Sequence, residues 1–200
     1  MSMSTALLPV WKYAGGKRKL APEILARLPA PADITCYVEP FVGGGAVFLA
    51  LRESGYIGPA VLNDASPIVV AVWQALQLDS DAVLQAFAGY AKQHAREAYY
   101  EIRAEPPVPV AEWPALVVAH PHACAEGDRR GSKRAALAGW FLYLNRSCFN
   151  GLWRVNRKGL PNVPIGDYKG VPKLDEDNVR AVHEALRNVK VTCGDFAAVL

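Results

Sequence analysis

The chain has 200 residues, of which 52% are hydrophobic and 20% charged, and its formal net charge is +3. This composition is typical of one globular α/β or α+β domain and excludes a disordered chain, which would be poorer in apolar and aromatic residues. No apolar run reaches the roughly 18 residues that a membrane span needs, and the N-terminus lacks the basic region of a signal peptide. The cysteines are far apart, so we expect reduced thiols in a cytoplasmic protein and no metal site. They are Cys36, Cys124, Cys148 and Cys193.

The predicted elements alternate between strands and helices in the first part of the chain. A glycine-containing loop at 10–19 leads into a short helix with Pro22 in its first turn, a position that suits proline. One face of this helix is expected to carry the apolar residues Leu20, Ile24, Leu25 and Leu28. Residues 36–42 are predicted to form a buried strand. Three glycines at 43–45 end that strand before a helix at 46–54.

The predicted elements after residue 54 continue the alternation of strands and helices. A strand at 60–62 ends at Asn63 and Asp64, and Ser66 is expected to cap a helix that runs to Leu78. The later predicted elements are one long helix over 80–104, an irregular proline-rich insertion over 105–131, an apolar helix over 132–147, a long loop or twisted hairpin over 148–170, an amphipathic helix over 174–188 and a strand over 189–193. The amphipathic helix is expected to turn Val179, Val182 and Leu186 inward. Strands that end in glycine or acid alternate with helices, which predicts a doubly wound sheet that binds ligand at the carboxyl ends of its strands.

The strongest motif is EPFVGGG, from Glu39 to Gly45. Glycine is needed where a strand turns sharply into a helix and where a ligand approaches the main chain. Asp64 follows Gly43 by 21 residues, at the end of the second strand, where an acid can accept hydrogen bonds from ribose. The pair indicates an adenosine-containing ligand, either a dinucleotide or S-adenosylmethionine. Phe48 stands where a dinucleotide-binding turn usually has a small glycine, which favours S-adenosylmethionine.

Two further segments carry possible functional chemistry. WKYAGGK, from Trp11 to Lys17, is either a lid over a bound ligand or an N-terminal turn with a core aromatic. Residues 133–173 hold eight bases against one acid, a local charge of +7 that leaves −4 for the remaining residues. Within that segment, aromatic, amide and arginine side chains occur within six residues, from Phe149 to Arg154. Arginine and asparagine can read base edges, apolar side chains can wedge between base steps, and basic groups contact phosphates, so the segment predicts nucleic-acid binding.

Taken together and in this order, the segments WKYAGGK, EPFVGGG, LND and NRSCFNGLWRVN…NVPIGDYK resemble the Dam-type, or D12 class, DNA adenine-N6 methyltransferases from about Trp11 to Leu200. The resemblance implies a Rossmann-like methyltransferase sheet with a helical and hairpin DNA-recognition insertion. It implies a cofactor-binding core at 1–78 and 189–200 and a DNA-recognition subdomain at 79–188, with its hairpin at about 148–170. It also implies S-adenosyl-L-methionine as methyl donor, no metal, and duplex DNA with a target adenine, GATC being the first expectation, in a bacterial or phage protein.

The resemblance also assigns roles to residues. Tyr13 and Lys17 would contact the cofactor, Asp64 would hold its ribose, and Asp195 would meet its adenine. The whole expected cofactor set is Tyr13, Lys17, Glu39, Phe41, Gly43, Gly45, Asp64 and Asp195. Arg154 would read a base, with wedging or contacting residues around it. The whole expected DNA-binding set is Arg146, Phe149, Asn150, Leu152, Arg154, Asn156 and Pro164.

The family's catalytic motif, Asp-Pro-Pro-Tyr, does not occur in the 200 residues. An acid, a carbonyl and an aromatic ring are needed to orient the flipped adenine towards the methyl donor, because its N6 lone pair is conjugated with the ring. We therefore expect the N-terminal portion of a longer enzyme, inactive alone, with a sheet that lacks its C-terminal strands. The strand that carries Glu39 would then have an open apolar edge.

Two other classes of function stay open at this point. A non-catalytic DNA-binding protein, or a fragment that needs a C-terminal partner chain, would keep the hairpin without the chemistry. A nicotinamide-dependent oxidoreductase would explain the glycine motif and Asp64, but it leaves the basic hairpin unexplained and is at odds with Phe48.

Overall fold

The computed structural model describes residues 7–117 and 129–200. Cys124 and part of the proline-rich insertion therefore lie outside the described residues. Of the other cysteines, Cys36 is exposed and Cys148 is buried, and both are free thiols.

The described strands form one parallel sheet in the order β1-β2-β3. The strands are β1 (Tyr37–Glu39), β2 (Ala60–Asp64) and β3 (Val189–Cys193). Tyr37 lies opposite Ala60, and Ala60 lies opposite Val189, so the carboxyl ends of all three strands meet at one edge. The first strand is shorter than predicted. It ends before Pro40, which has no N–H to donate, although the Val42 amide still bonds the carbonyl of Asn63 at 2.8 Å.

Eight α-helices lie within the described ranges. They are α1 (Ala21–Leu25), α2 (Ala46–Glu53), α3 (Pro67–Leu78), α4 (Ser80–Ala91), α5 (Arg96–Ala104), α6 (Trp113–Leu116), α7 (Arg129–Ser147) and α8 (Glu176–Ala185). Helix α2 connects β1 to β2, as parallel strands require, and this part of the α/β prediction is confirmed. None of the helices in 7–117 and 129–200 is long and apolar enough to span a bilayer.

Helix α3 lies at the centre of the core. Every residue from Ile68 to Gln77 is buried, because the sheet and α8 cover the helix on one side while α7 packs on another. A helix enclosed in this way carries apolar side chains all round. Its two glutamines tie the helix to the third strand, since Gln74 donates to the carbonyl of Val191 and Gln77 donates to that of Val189.

The predicted long helix over 80–104 is wrong, because the chain breaks between α4 and α5. Ala95 is extended (φ −148°, ψ 164°), and the last amides of α4 make tight turns rather than helical bonds. The break sets His94 against α7, where its Nδ1 lies 3.1 Å from the Tyr143 hydroxyl. This long-range contact overrides a local sequence that favours helix.

Several other predicted features are corrected at their edges. The insertion holds a 3₁₀ turn (Val110–Glu112) and α6, and α7 begins at Arg129, three residues before the predicted start. Leu20, expected on the inner face of the first helix, is 49% exposed. The inward face of α8 is confirmed, since Val179 and Val182 are buried.

Candidate functional site

A cavity of about 890 Å³ opens at the carboxyl ends of β1 and β2. The glycine-containing loop at 11–18 and the turn between β1 and α2 form two of its walls. Six of the eight expected cofactor residues line it: Tyr13, Lys17, Glu39, Phe41, Gly43 and Gly45. The other two lie beside it.

The turn between β1 and α2 depends on two glycines. Gly43 and Gly45 both have left-handed backbones, with φ of 47° and 68°. A Cβ at Gly43 would lie 2.8 Å from Cδ1 of Tyr13, and one at Gly45 would collide with the indole of Trp73. The indole of Trp73 also donates to the carbonyl of Gly43 at 2.9 Å. Both the backbone angles and the close neighbours therefore require glycine here.

Asp64 holds this turn through its carboxylate. One oxygen accepts from the Gly43 amide at 3.0 Å, and the other accepts from the Ser66 amide at 2.9 Å. Ser66 does precede the first residue of α3, but its hydroxyl makes no capping bond, so the predicted cap is wrong and Asp64 acts on that backbone instead. A carboxylate has about four acceptor positions. The role of Asp64 towards a ribose therefore stays a prediction.

The loop before α1 folds back on itself under Tyr13. The Gly16 amide bonds the carbonyl of Tyr13 at 3.0 Å, Gly15 is left-handed, and the ammonium of Lys17 bonds the carbonyl of Gly15 at 2.8 Å. Burial raises the pKa of Tyr13, and the negative charge of Asp64 adds to that effect. The loop thus closes one side of the cavity with an aromatic ring and a cation.

Glu39 places a partly buried carboxyl group on the cavity wall. Its Oε2 accepts from the Tyr37 hydroxyl at 3.0 Å and from the Phe48 amide at 3.1 Å. Burial raises the pKa of Glu39 to about 7, although both hydrogen bonds oppose the shift. A positive charge in the cavity would interact favourably with the ionised form.

Two exposed aromatic rings flank the carboxyl ends of the strands. Phe41 is 69% exposed, and its ring centroid lies 5.4 Å from that of Phe196. Asp195 is also exposed, and its carboxylate accepts from the Ala197 amide at 2.8 Å, which starts a 3₁₀ turn. Asp195 is therefore placed near the cavity but is not on its described wall.

The segment that follows α7 folds back on itself in an antiparallel way. Cys148 pairs with Ile165, and Val155 pairs with Pro161, as isolated bridges rather than regular strands. At its near end the Phe149 amide bonds the carbonyl of Pro164 at 2.9 Å. Phe149 and Leu152 are 52% and 42% exposed, which leaves two apolar side chains unburied beside a concentration of positive charge.

The remaining residues of the expected DNA-binding set divide into exposed and anchored groups. Arg154 is exposed, and its Nε bonds Asn162 at 2.8 Å. The Asn156 side chain accepts from the amides of Lys158 and Leu160, so it shapes the tip of the segment. Asn150 is exposed and left-handed (φ 56°).

Arg146 is half-buried near the end of α7 and faces two cavities. It donates to the carbonyl of Val10 at 2.9 Å, and burial lowers its pKa. It lines both the large cavity and a smaller one of about 260 Å³. The smaller cavity also has three lysines on its wall, Lys12, Lys169 and Lys173, so positive charge surrounds it.

A family profile described as D12 class N6 adenine-specific DNA methyltransferase matches residues 13–200. The chain belongs to this family. The resemblance inferred from the sequence is therefore confirmed.

Several curated methyltransferases are similar to this chain over nearly its whole length. The type II methyltransferase M.MjaIII of Methanocaldococcus jannaschii is 32% identical over 96% of the chain and 63% of its own length. The type II methyltransferase M1.LlaDCHI of Lactococcus lactis subsp. cremoris is 28% identical over 95% and 59%. The DNA adenine methylase of Escherichia coli K12 is 32% identical over 93% and 57%. The chain thus spans about three fifths of the length of these relatives.

Sequence reasoning missed two residues at the carboxyl ends of the strands. Asn63 is 1% exposed and joins the three strand ends, since its side chain donates to the carbonyls of Pro40 and Gly194 and accepts from Thr192. Only the three-dimensional pairing of the strands identifies it. Phe196 could have been found, because an aromatic residue follows Gly194-Asp195 directly after the third strand.

Proposed function

We propose that the whole protein transfers a methyl group from S-adenosylmethionine to N6 of adenine in duplex DNA. The observation that carries this proposal is that two sets of residues share one cavity. Tyr13, Glu39 and the glycine turn line it from the sheet side, while Arg146 and Asn150 line it from the side of the segment at 146–156. A cofactor in this cavity would therefore lie next to the expected DNA-contacting surface.

The chemistry of the cavity wall fits a cationic adenosine cofactor. The Glu39 carboxyl group suits a positively charged ligand, and the exposed rings of Phe41 and Phe196 offer faces for an adenine. When bound, S-adenosylmethionine supplies a methyl group on a positively charged sulfur. The protein's part would be to hold the methyl group between that sulfur and the adenine nitrogen. The methyl–sulfur bond would break as the C–N bond forms, the sulfur would leave as a neutral thioether, and the nitrogen would release one proton to water.

The DNA side of the proposal rests on exposure and charge. Phe149 and Leu152 can wedge into a base stack when an adenine leaves the duplex. Arg154, held by Asn162 through Nε, is exposed beside them and suited to a base edge. We assign residues 1–78 and 189–200 to cofactor binding and 79–188 to DNA recognition.

The test is methylation by the full-length protein. Duplexes that contain GATC, and matched duplexes with that site scrambled, are incubated with S-adenosylmethionine, and N6-methyladenine is measured by mass spectrometry. We expect methylation of an adenine-containing site, with GATC the first candidate. DNA binding without any methyl transfer would instead support a non-catalytic DNA-binding protein. NAD binding without S-adenosylmethionine binding would support an oxidoreductase.

A variant tests the assigned reader. Arg154→Ala should weaken binding by about 1–3 kcal/mol at one base position and relax specificity there, because one arginine reads one base. Arg157→Ala is a matched control, since Arg157 is an exposed arginine at the tip of the same segment. Equal weakening on all sequences by Arg154→Ala would show a phosphate contact and remove Arg154 from the base-reading set.

A further inference from the structure

The side chain of Asn145 joins the loop at 11–18, which lines the large cavity, to the segment at 148–156, the DNA-contacting segment of the proposed function. Asn145 lies in the last turns of α7 and is 1% exposed. Its carboxamide oxygen accepts from the Lys12 amide at 3.0 Å, and its nitrogen donates to the carbonyl of Lys12 at 2.9 Å. The same nitrogen donates to the carbonyl of Gly151 at 2.9 Å. One side chain thus fixes the backbone of both segments.

Direct packing between the two segments reinforces this link. Gly151 is buried and left-handed (φ 66°), and a Cβ there would lie 2.6 Å from Cδ of Lys12. The aliphatic part of Lys12 therefore lies against the Gly151 backbone with no space for a side chain. A shift of either segment must move the other or break these contacts.

A run of aromatic rings follows the same route through the core. The ring of Trp11, next to Lys12, lies 5.8 Å from that of Phe141. The ring of Phe141 lies 4.4 Å from that of Trp153, two residues after Gly151. Packing through Phe141 therefore joins the loop and the segment, in addition to the hydrogen bonds of Asn145.

We propose that Asn145 is a positioning residue that couples cofactor binding to DNA binding. The proposal rests on the proposed function, because it takes the loop at 11–18 as a cofactor wall and the segment at 148–156 as a DNA contact. Ordering of the loop by the cofactor fixes the Lys12 backbone, and through Asn145 it fixes the Gly151 carbonyl and the residues around it. By linkage, DNA then raises the affinity for cofactor by the same factor.

Asn145→Asp is the variant that tests this role with the least change in size. A carboxylate still accepts from the Lys12 amide, but it cannot donate to the carbonyls of Lys12 and Gly151. The bond to the DNA-contacting segment is therefore lost, while one bond to the loop is kept.

The chain offers a matched control in Asn178. This asparagine of α8 is 5% exposed, and its side chain accepts from the Leu8 amide and donates to the carbonyl of Leu8, both at 2.9 Å. It therefore holds the chain just before the loop at 11–18 by the same kind of paired hydrogen bonds that Asn145 makes to Lys12. No hydrogen bond of its side chain reaches 148–156 among the described residues. Asn178 also lies on the wall of the large cavity, so Asn178→Asp is compared with the wild type by the ratio of sinefungin affinities with and without DNA and not by the affinity itself. Asn178→Asp should lower stability as Asn145→Asp does and leave that ratio unchanged.

The experiment measures the affinity of the full-length protein for sinefungin, an unreactive cofactor analogue, with and without a GATC duplex and with and without a pool of random duplexes. We expect DNA to tighten sinefungin binding to the wild-type and Asn178→Asp proteins by about fivefold or more. We expect the ratio to fall below about twofold in Asn145→Asp. A ratio in Asn145→Asp equal to that of the wild type overturns the inference, as does a wild-type ratio near one.

Failure of the proposed function gives a different result. A wild-type protein that binds neither sinefungin nor any duplex contradicts the function itself. If Asn145→Asp does not fold, hydrogen exchange of the wild type decides. Sinefungin alone should then slow exchange of the Gly151 and Leu152 amides, whose acceptors are the carbonyls of Cys148 and Phe149. Unchanged exchange there, with slowing confined to 11–18, overturns the coupling.

Discussion

At the scale of single residues, Glu39 shows how the folded environment changes the protonation of a side chain. The sequence predicted Glu39 inside a strand over 36–42, whereas β1 ends at Glu39, and its protonation was not predicted. That property comes from burial and from Tyr37 and Phe48, which reach Oε2 only in the folded chain. The same applies to Asp64, whose two backbone partners lie in different loops.

The raised pKa of Glu39 predicts how stability changes with pH. The folded protein binds this proton with a pKa of about 7, above the ordinary value of 4.5, so the native state favours the neutral acid. The contribution of Glu39 to the free energy of unfolding is therefore fully present below about pH 4.5 and is lost as pH rises through about 7. The difference in the free energy of unfolding between Glu39→Gln and the wild type should accordingly grow in favour of the variant, by on the order of 2 kcal/mol, from pH 5 to pH 8.

Urea denaturation of both proteins at pH 5 and pH 8 measures this difference. Glu101→Gln serves as the control, because Glu101 is an exposed carboxylate on α5. It should change stability equally at both pH values. A Glu39→Gln protein whose advantage does not grow with pH would show that the carboxylate is ionised in the native state across this range.

At the scale of elements, Arg52 holds α2 to the far side of the sheet. Its guanidinium donates to the carbonyls of Ala185 and Arg187 at the end of α8, and to those of Tyr56 and Gly58 in the connection to β2. The charged group also lies over the ring of Phe48, 5.1 Å from its centroid. A planar group with several donors is required for this arrangement.

Arg52→Lys should therefore destabilise the protein although it keeps the charge. We expect the free energy of unfolding to fall by about 2 kcal/mol, because one ammonium cannot reach four carbonyls. Arg27→Lys is the control, since the side chain of Arg27 is 75% exposed and its ion pair with Glu23 is long at 3.9 Å. That change should stay within about 0.5 kcal/mol. Equal effects of the two substitutions in thermal or urea unfolding would contradict the role of Arg52.

The elements also show how far local sequence determines this fold. The three strands, the glycine turn and the inward face of α8 were predicted, because hydrophobic periodicity and glycine placement are local signals. The break before α5 was not predicted, because His94 reaches Tyr143, 49 residues away. The bonds of Asn145 to Lys12 span 133 residues, and no local pattern indicates them.

At the scale of the whole molecule, positive charge is concentrated on one part of the chain. Residues 133–173 carry +7 although the net charge is only +3. Part of this charge lines the smaller cavity, next to the cavity assigned to the cofactor. The arrangement places the main attraction for a polyanion beside the residues proposed to read bases, which favours both encounter and orientation.

This asymmetry predicts that salt will separate the two binding reactions. The logarithm of the association constant for DNA should fall linearly with the logarithm of the salt concentration, and the salt slope is the gradient of that line. The association constant for sinefungin should change little, because only DNA binding releases condensed counterions. Lys169→Ala, on the wall of the smaller cavity, should reduce the salt slope by about one and weaken all duplexes alike. Lys190→Ala, which changes an exposed lysine of β3 outside the basic segment, should leave the slope unchanged. Fluorescence anisotropy titrations over a series of salt concentrations measure each slope. The same salt slope for wild type and Lys169→Ala would show that the phosphate backbone does not lie at the smaller cavity. A reduced salt slope for Lys190→Ala would show that the phosphate backbone crosses the sheet instead.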